Sequence, residues 1–338
     1  ARPARPPHGR PAGTPIRAGA PRARLTVVLT SLGAHVKWFT DPHPTKYELL
    51  LSWPVLLAFA GALVAIAAAY WIQHTIPEPP IFTMLERFAG HGPLALGLHI
   101  GAALIAAAIV GLLFVPSLPV PADDTLGLVL LVMEAMAGLM LLLGLATRAG
   151  ATILALLGVV AMQPFSFESI LEQVHILGIA IFFFLVGRGP ISLDRIRGVG
   201  PPIRDQRVPE AALTLLRVLM GFGILFGALT EKLLNPPLAQ ALLDAYPYLN
   251  ALRPFGLPDP VFIWMAGTAE LAIGAVIMSG QITRPVMAIG AFLFTVSLIA
   301  FGWPELLGHL PYYGIMLILF IAPNADSWHI RHALRAQS

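Results

Sequence analysis

The chain has 338 residues, 57% of them hydrophobic and 12% charged. A soluble domain carries roughly 25% charged residues, so the composition specifies an integral membrane protein, and the pI near 9.4 is not a nucleic-acid signal. The absence of cysteine excludes a disulfide, a CxxC redox pair, a thiolate-held iron–sulfur cluster and covalently attached haem.

Residues 1–24 hold six arginines among prolines, glycines and alanines, a composition that predicts a disordered basic tail. Residues 1–34 also read as a leader. Arg22 and Arg24 would form its basic region, LTVVLTSL its apolar core, and SLGA would precede a cleavage point near His35. The alternative is an uncleaved tail followed by a surface segment. Residues 35–50 are then extracytoplasmic. A terminal His35 could chelate copper through its amine and imidazole.

A helix needs about 20 mostly apolar residues to cross a bilayer core. Nine such runs are present: 51–74, 92–115, 125–146, 149–165, 170–187, 210–230, 258–280, 284–302 and 307–323. The first stands alone. The other eight divide into two four-span units, 85–198 and 210–335, joined by a basic linker, 199–209. The fold class predicted is therefore all-α and polytopic, two tandem parallel four-helix units plus one N-terminal transmembrane helix.

Both units carry the pattern E-x3-G-x5-G-x2-T-R. Glu134, Gly138, Gly144, Thr147 and Arg148 recur as Glu270, Gly274, Gly280, Thr283 and Arg284, all at an offset of 136 residues. An even number of spans per unit gives both the same orientation. Arg148, Arg284, Arg331, Arg335 and the arginines of 188–209 fall on one side. The positive-inside rule makes that side cytoplasmic, with the C-terminus inside and the mature N-terminus outside.

Charged side chains at membrane depth are expensive and are functional candidates. Arg148 follows Glu134 by fourteen residues, which returns it to nearly the same helix face roughly 21 Å further along. Glu134 and Glu270 are thereby predicted in the outer half of the membrane. His175 and His309, early in the last span of each unit, reach a comparable depth, which suggests one Glu–His pair per unit. The phase of the two histidines differs by two residues, so the pockets cannot be identical. Lys232 ends the opening span of the second unit and is positioned to pair with Glu270. The first unit has no such lysine, and the longer outer loop 231–257 also favours the second. The competing reading of both glutamates is a buried acid that fixes helix packing. The glycines read as close-packing positions, Arg148 and Arg284 as partners of lipid phosphates, and Arg217 as snorkelling to the interface. A haem shared by His175 and His309 is a further, weaker reading.

The stretches LLRVLMGFGILFGALTEKLLNP, AELAIGAVIMSGQITR and HLPYYGIMLILF, with GRGPISLDRIRG closing the first unit, resemble the DoxX-like membrane family. The resemblance covers about 85–338 and is clearer in the second unit. It implies a four-helix unit, here in tandem, in a bacterial or archaeal cytoplasmic membrane. It also implies association with redox complexes, among them thiosulfate–quinone oxidoreduction. Two functions follow as expectations. One is an accessory or scaffold subunit of a redox complex with other protein subunits, consistent with a sequence lacking a nucleotide loop or nucleophile–base pattern. The other is a quinone-reactive subunit in which Glu270, His309 and Lys232 line the headgroup pocket, with Glu134 and His175 as a degenerate counterpart. A small-solute or proton transporter is a weaker third.

Overall fold

The computed structural model describes residues 35–121, 123–199 and 208–322. The leader, most of the basic linker, and Arg331 and Arg335 lie outside the described residues. Among these residues, all nine predicted runs are helical. Seven helices are long and apolar enough to cross a membrane, two of them with short extensions, and two apolar helices are shorter. They are named here α1 (Trp53–Thr75), α2 (Gly92–Ile109), α3 (Thr125–Leu143), α4 (Thr147–Val160), α5 (Val174–Val186), α6 (Glu210–Ala228), α7 (Asp259–Ser279), α8 (Thr283–Phe301) and α9 (Trp303–Ile321). The protein is an all-α polytopic membrane protein.

Local chemistry sets the helix ends. Asp124 caps α3 by accepting from Gly127 N at 3.1 Å, an N-cap bond that satisfies an orphan donor. α3 and α7 both stop at a left-handed glycine, Gly144 (φ 63°) and Gly280 (φ 71°), where the missing Cβ removes the steric penalty. Two residues later Ala146 and Ile282 are also left-handed, at φ 47° and 42°. The repeat is thus preserved in backbone conformation as well as in sequence.

The opening helices repeat too, at an offset of 120 residues. A Cβ on Gly101 would lie 2.7 Å from the Gly138 carbonyl oxygen, and one on Gly221 would lie 2.7 Å from that of Gly274. Each pair lets two helix backbones touch, the packing that small residues allow in lipid.

The two units are not separate bundles. α2 packs on α3 and α6 on α7, as the repeat requires, but α5 lies along α6 and α9 lies along α2. The closing helix of each unit covers the opening helix of the other. α1 packs on α7 and is apolar on all sides, which suits a helix with one protein neighbour and lipid elsewhere.

Two boundaries differ from the sequence expectation. The run 92–115 stops being helical at Ile109. Residues 110–121 turn back through a bridge between Leu112 and Pro119, with Phe114 left-handed at φ 65°. Hydropathy does not distinguish this buried loop from a helix, because Leu113, Phe114, Val115 and Leu118 are all core residues. The last span begins at Trp303, earlier than 307, on Pro304 in its first turn, where proline is tolerated.

A buried charged site at the arginine-poor end

α6 does not end as an ordinary helix. Leu229–Leu233 form a π-helical turn in which all five residues are buried. Glu231 and Lys232 are adjacent in this turn and both buried, each against partners on a different element. Such turns recur at functional sites.

Lys232 Nζ donates to Glu270 Oε2 at 2.8 Å, and the other oxygen, Glu270 Oε1, has no partner among the described residues. Lys232 borders two spaces. On one side a small cavity of about 40 Å³, bordered by His35, Glu231, Lys232 and Glu270, has room for a water or two. On the other an apolar groove of about 560 Å³ runs between the start of α1 and the start of α7, lined by Val55, Leu57, Leu233, Val261 and Trp264 and ending at Lys232.

The segment before α1 closes the site. His35 Nδ1 lies 3.1 Å from Glu231 Oε1, and the Val36 amide donates to Glu231 Oε2 at 2.6 Å. Burial acts to lower the His35 pKa, but the Glu231 carboxylate outweighs it and holds the imidazole above its ordinary value. Lys37 Nζ bridges Glu168 at 2.9 Å and Glu172 at 2.5 Å. Burial acts to lower its pKa too, and Glu172, Glu231 and Glu168 raise it instead. Glu168 also accepts from Thr45 at 2.9 Å and from the Tyr47 hydroxyl. Burial opposes ionisation of Glu168, yet the Lys37 and Tyr47 bonds hold its carboxyl below the usual range. Tyr47 is pushed up to about 12, by burial and by the Glu168 bond. Thr230 Oγ1 donates to Glu172 at 2.5 Å. A series of polar groups thus leads from the partly exposed Glu168 inward to Glu231.

The expected Glu–His pairs do not form. His309 Nδ1 lies 2.8 Å from Glu305, four residues earlier on α9, and Glu305 also accepts the Ser297 hydroxyl. His309 stacks on Phe294 at 4.0 Å between ring centroids and lies 5.4 Å from the His35 ring. His175 stacks on Tyr312 at 4.0 Å. Because α5 crosses to the other unit, His175 belongs to the second unit's pocket and is remote from Glu134. Tyr312 and Phe294 fill the space a porphyrin shared by His175 and His309 would need.

In the first unit Glu134 Oε1 accepts from the Phe114 amide at 2.8 Å, and Oε2 has no partner among the described residues. The strained residue of the 110–121 turn therefore does for Glu134 what Lys232 does for Glu270. Among the described residues no ion pair reaches Glu134.

The arginines also sit differently from expectation. Arg217 does not snorkel: it is buried, and Nη1 donates to the Ile277 carbonyl at 3.2 Å at the C-terminal end of α7. Arg188 does the same for α3, donating from Nε to Leu141 at 2.8 Å and from Nη2 to Leu142 at 2.9 Å. At the 120-residue offset Arg217 corresponds to Gly97, whose missing side chain leaves the space that Arg188 occupies. Both copies therefore place a guanidinium on the negative pole of the corresponding helix, from different points in the chain. Burial lowers the Arg188 pKa to about 10, so it stays charged. Arg284 is buried too, bound to Glu78, Glu86 and the Ala322 carbonyl rather than to a lipid phosphate. Of the three arginines expected at the interface, Arg148, Arg217 and Arg284, only Arg148 is exposed.

Among the described residues no group of three or more His, Asp or Glu is arranged to hold a metal, and His35 faces Glu231. Sequence reasoning missed Glu231, Glu305, Lys37, Glu168 and Glu172. The i,i+4 spacing of Glu305 and His309 was the one local signal available. No protein-family model, curated protein or solved structure matches the chain.

Proposed function

We propose that the chain is an accessory subunit of a membrane redox complex that binds a quinone headgroup at Lys232 and Glu270. One observation carries this reading: Lys232, buried and paired with Glu270, borders both an apolar groove and a small cavity in which His35, Glu231 and Glu270 stand among apolar side chains. Burying such a pair costs several kcal/mol per ion before its attraction is counted, and a purely packing role is met more cheaply by apolar side chains. The resemblance to DoxX-like proteins supports the same reading. The groove suits a lipophilic tail, and the unpartnered Glu270 Oε1 suits a polar head.

A bound quinone supplies two-electron, two-proton chemistry, its electrons coming from a redox partner subunit. The residues of this chain bind the head and hold the protons. Lys232 has N–H donors for a carbonyl oxygen. Glu270 and the His35–Glu231 pair are acid–base groups beside the cavity. Glu172, Lys37 and Glu168 form a second bonded group between this site and the arginine-poor surface.

Photolabelling of the purified chain in lipid nanodiscs with an azidoquinone tests this. Label is expected within residues 49–57 or 260–264, competed by unlabelled quinone. Lys232→Met should cut labelling about tenfold, equivalent to 1.4 kcal/mol. Leu57→Trp, which fills the groove and leaves Lys232 intact, should also reduce it. Labelling elsewhere, or insensitive to both substitutions, refutes the reading.

A further inference from the structure

The two copies of the T-R motif treat their arginine differently. In the second copy Arg284 is buried and paired with Glu78 and Glu86. In the first, Arg148 is exposed and forms no ion pair among the described residues. Copy two supplies its own anions, and copy one does not.

Arg148 borders a groove of about 520 Å³ between the start of α4 and the segment following α5. Arg188 and Arg195 line the same groove, with Asp194 as the carboxylate. Asp194 is turned to the chain, accepting from Ala146 N at 2.6 Å, Thr147 N at 2.8 Å and Thr147 Oγ1 at 2.7 Å. Arg195 is exposed and likewise forms no ion pair among the described residues. Arg188 is 3% exposed, and its Nη1 has no partner among them. Three guanidinium groups thus face one committed carboxylate. The surroundings are apolar, with Leu143, Leu185 and Ile196 all exposed, as at the edge of a hydrocarbon layer.

We propose that this groove binds a phosphate-bearing anion, with Arg148 and Arg195 as its contacts and Arg188 as the buried charge behind them. Planar guanidinium forks match phosphate oxygens in bidentate geometry. The apolar rim favours the headgroup of an anionic phospholipid, whose chains would lie along α3 and α5. A free phosphate offers the same oxygens without the chains. This site is separate from the Lys232–Glu270 site and stands without the quinone reading.

The test is thermal unfolding of the full chain in phosphatidylcholine nanodiscs, with and without phosphatidylglycerol, and with inorganic phosphate in a parallel arm. Phosphatidylglycerol should raise the melting temperature of the unmodified chain. The doubly substituted Arg148→Gln, Arg195→Gln chain should lose that increment, while Arg87→Gln, which removes an exposed charge outside the groove, should keep it. A response to inorganic phosphate that disappears in the double variant also supports the site, with a soluble anion as its occupant. No response to either additive, equal responses of the double variant and the unmodified chain, or equal loss in Arg87→Gln would overturn the proposal.

Discussion

Lys232 and Glu270 show what one ionic pair asks of a membrane protein. Removing one partner of a buried pair leaves an uncompensated charge, at a cost of about 3–5 kcal/mol. Lys232→Met and Glu270→Gln should each lower stability by about that amount. Removing both charges should cost less than the sum of the two by at least about 1 kcal/mol, since residues in contact couple at roughly 0.5–3 kcal/mol. Melting in detergent of the two single variants and the double measures this, and strictly additive losses would mean the groups do not interact. The pair was legible in the sequence, because the repeat fixed the depth of Glu270 and a lone lysine ended the neighbouring span. Glu231 was not legible. α-Helical geometry turns it away from the face that Lys232 uses, and the π turn at Leu229–Leu233 that accompanies its burial leaves no mark in the sequence. His35 was hidden for another reason: its partner stands 196 residues away, and no local pattern encodes that distance.

At the scale of elements, the segment from His35 to Ser52 is held by titratable contacts as well as by packing of Val36, Trp38 and Phe39. Glu168 has a folded pKa below its unfolded value of about 4.3. Its contribution is present above that value and is lost as pH falls through the folded pKa. His35 has a folded pKa above its unfolded value of about 6.5. Its contribution is complete below that value and is lost as pH rises through the folded pKa. Docking should therefore be tightest between about pH 4.5 and 6.5. Lys37 keeps its charge throughout, and Val36 N holds Glu231 independently of the histidine. Hydrogen exchange corrected for intrinsic rate should show strongest protection of residues 36–40 in that window, with more opening on either side. Protection that does not vary from pH 4 to 8 would show that packing of Trp38 and Val36, not these charges, secures the segment. The helices themselves were readable from hydropathy, whereas the turn at 110–121 was not. Its residues are as apolar as a span, and the contact it makes, the Phe114 amide donating to the buried Glu134, joins positions no local pattern links.

For the molecule as a whole, the repeat disclosed which helices correspond but not which ones touch. Hydropathy and an even span count are satisfied equally by two side-by-side bundles and by the interleaved arrangement, in which α5 crosses to α6 and α9 to α2. The difference lies in long-range packing of small residues. A Cβ at Gly178 on α5 would stand 3.2 Å from the Leu219 Cβ on α6, close to the span of about 3.5–4.5 Å that a disulfide bridges. The chain has no cysteine of its own, so a pair introduced as Gly178→Cys and Leu219→Cys reports on this contact without background. Mild oxidation should close the bond in the membrane. If the linker region at 200–207 is then cut at an engineered protease site, the two halves should stay together on a denaturing gel until a reductant is added. Separate bundles would leave the cysteines apart, and the halves would part with or without oxidant. Closure in high yield would also explain why His175 serves the second unit's pocket: the helix that carries it folds as part of the other half.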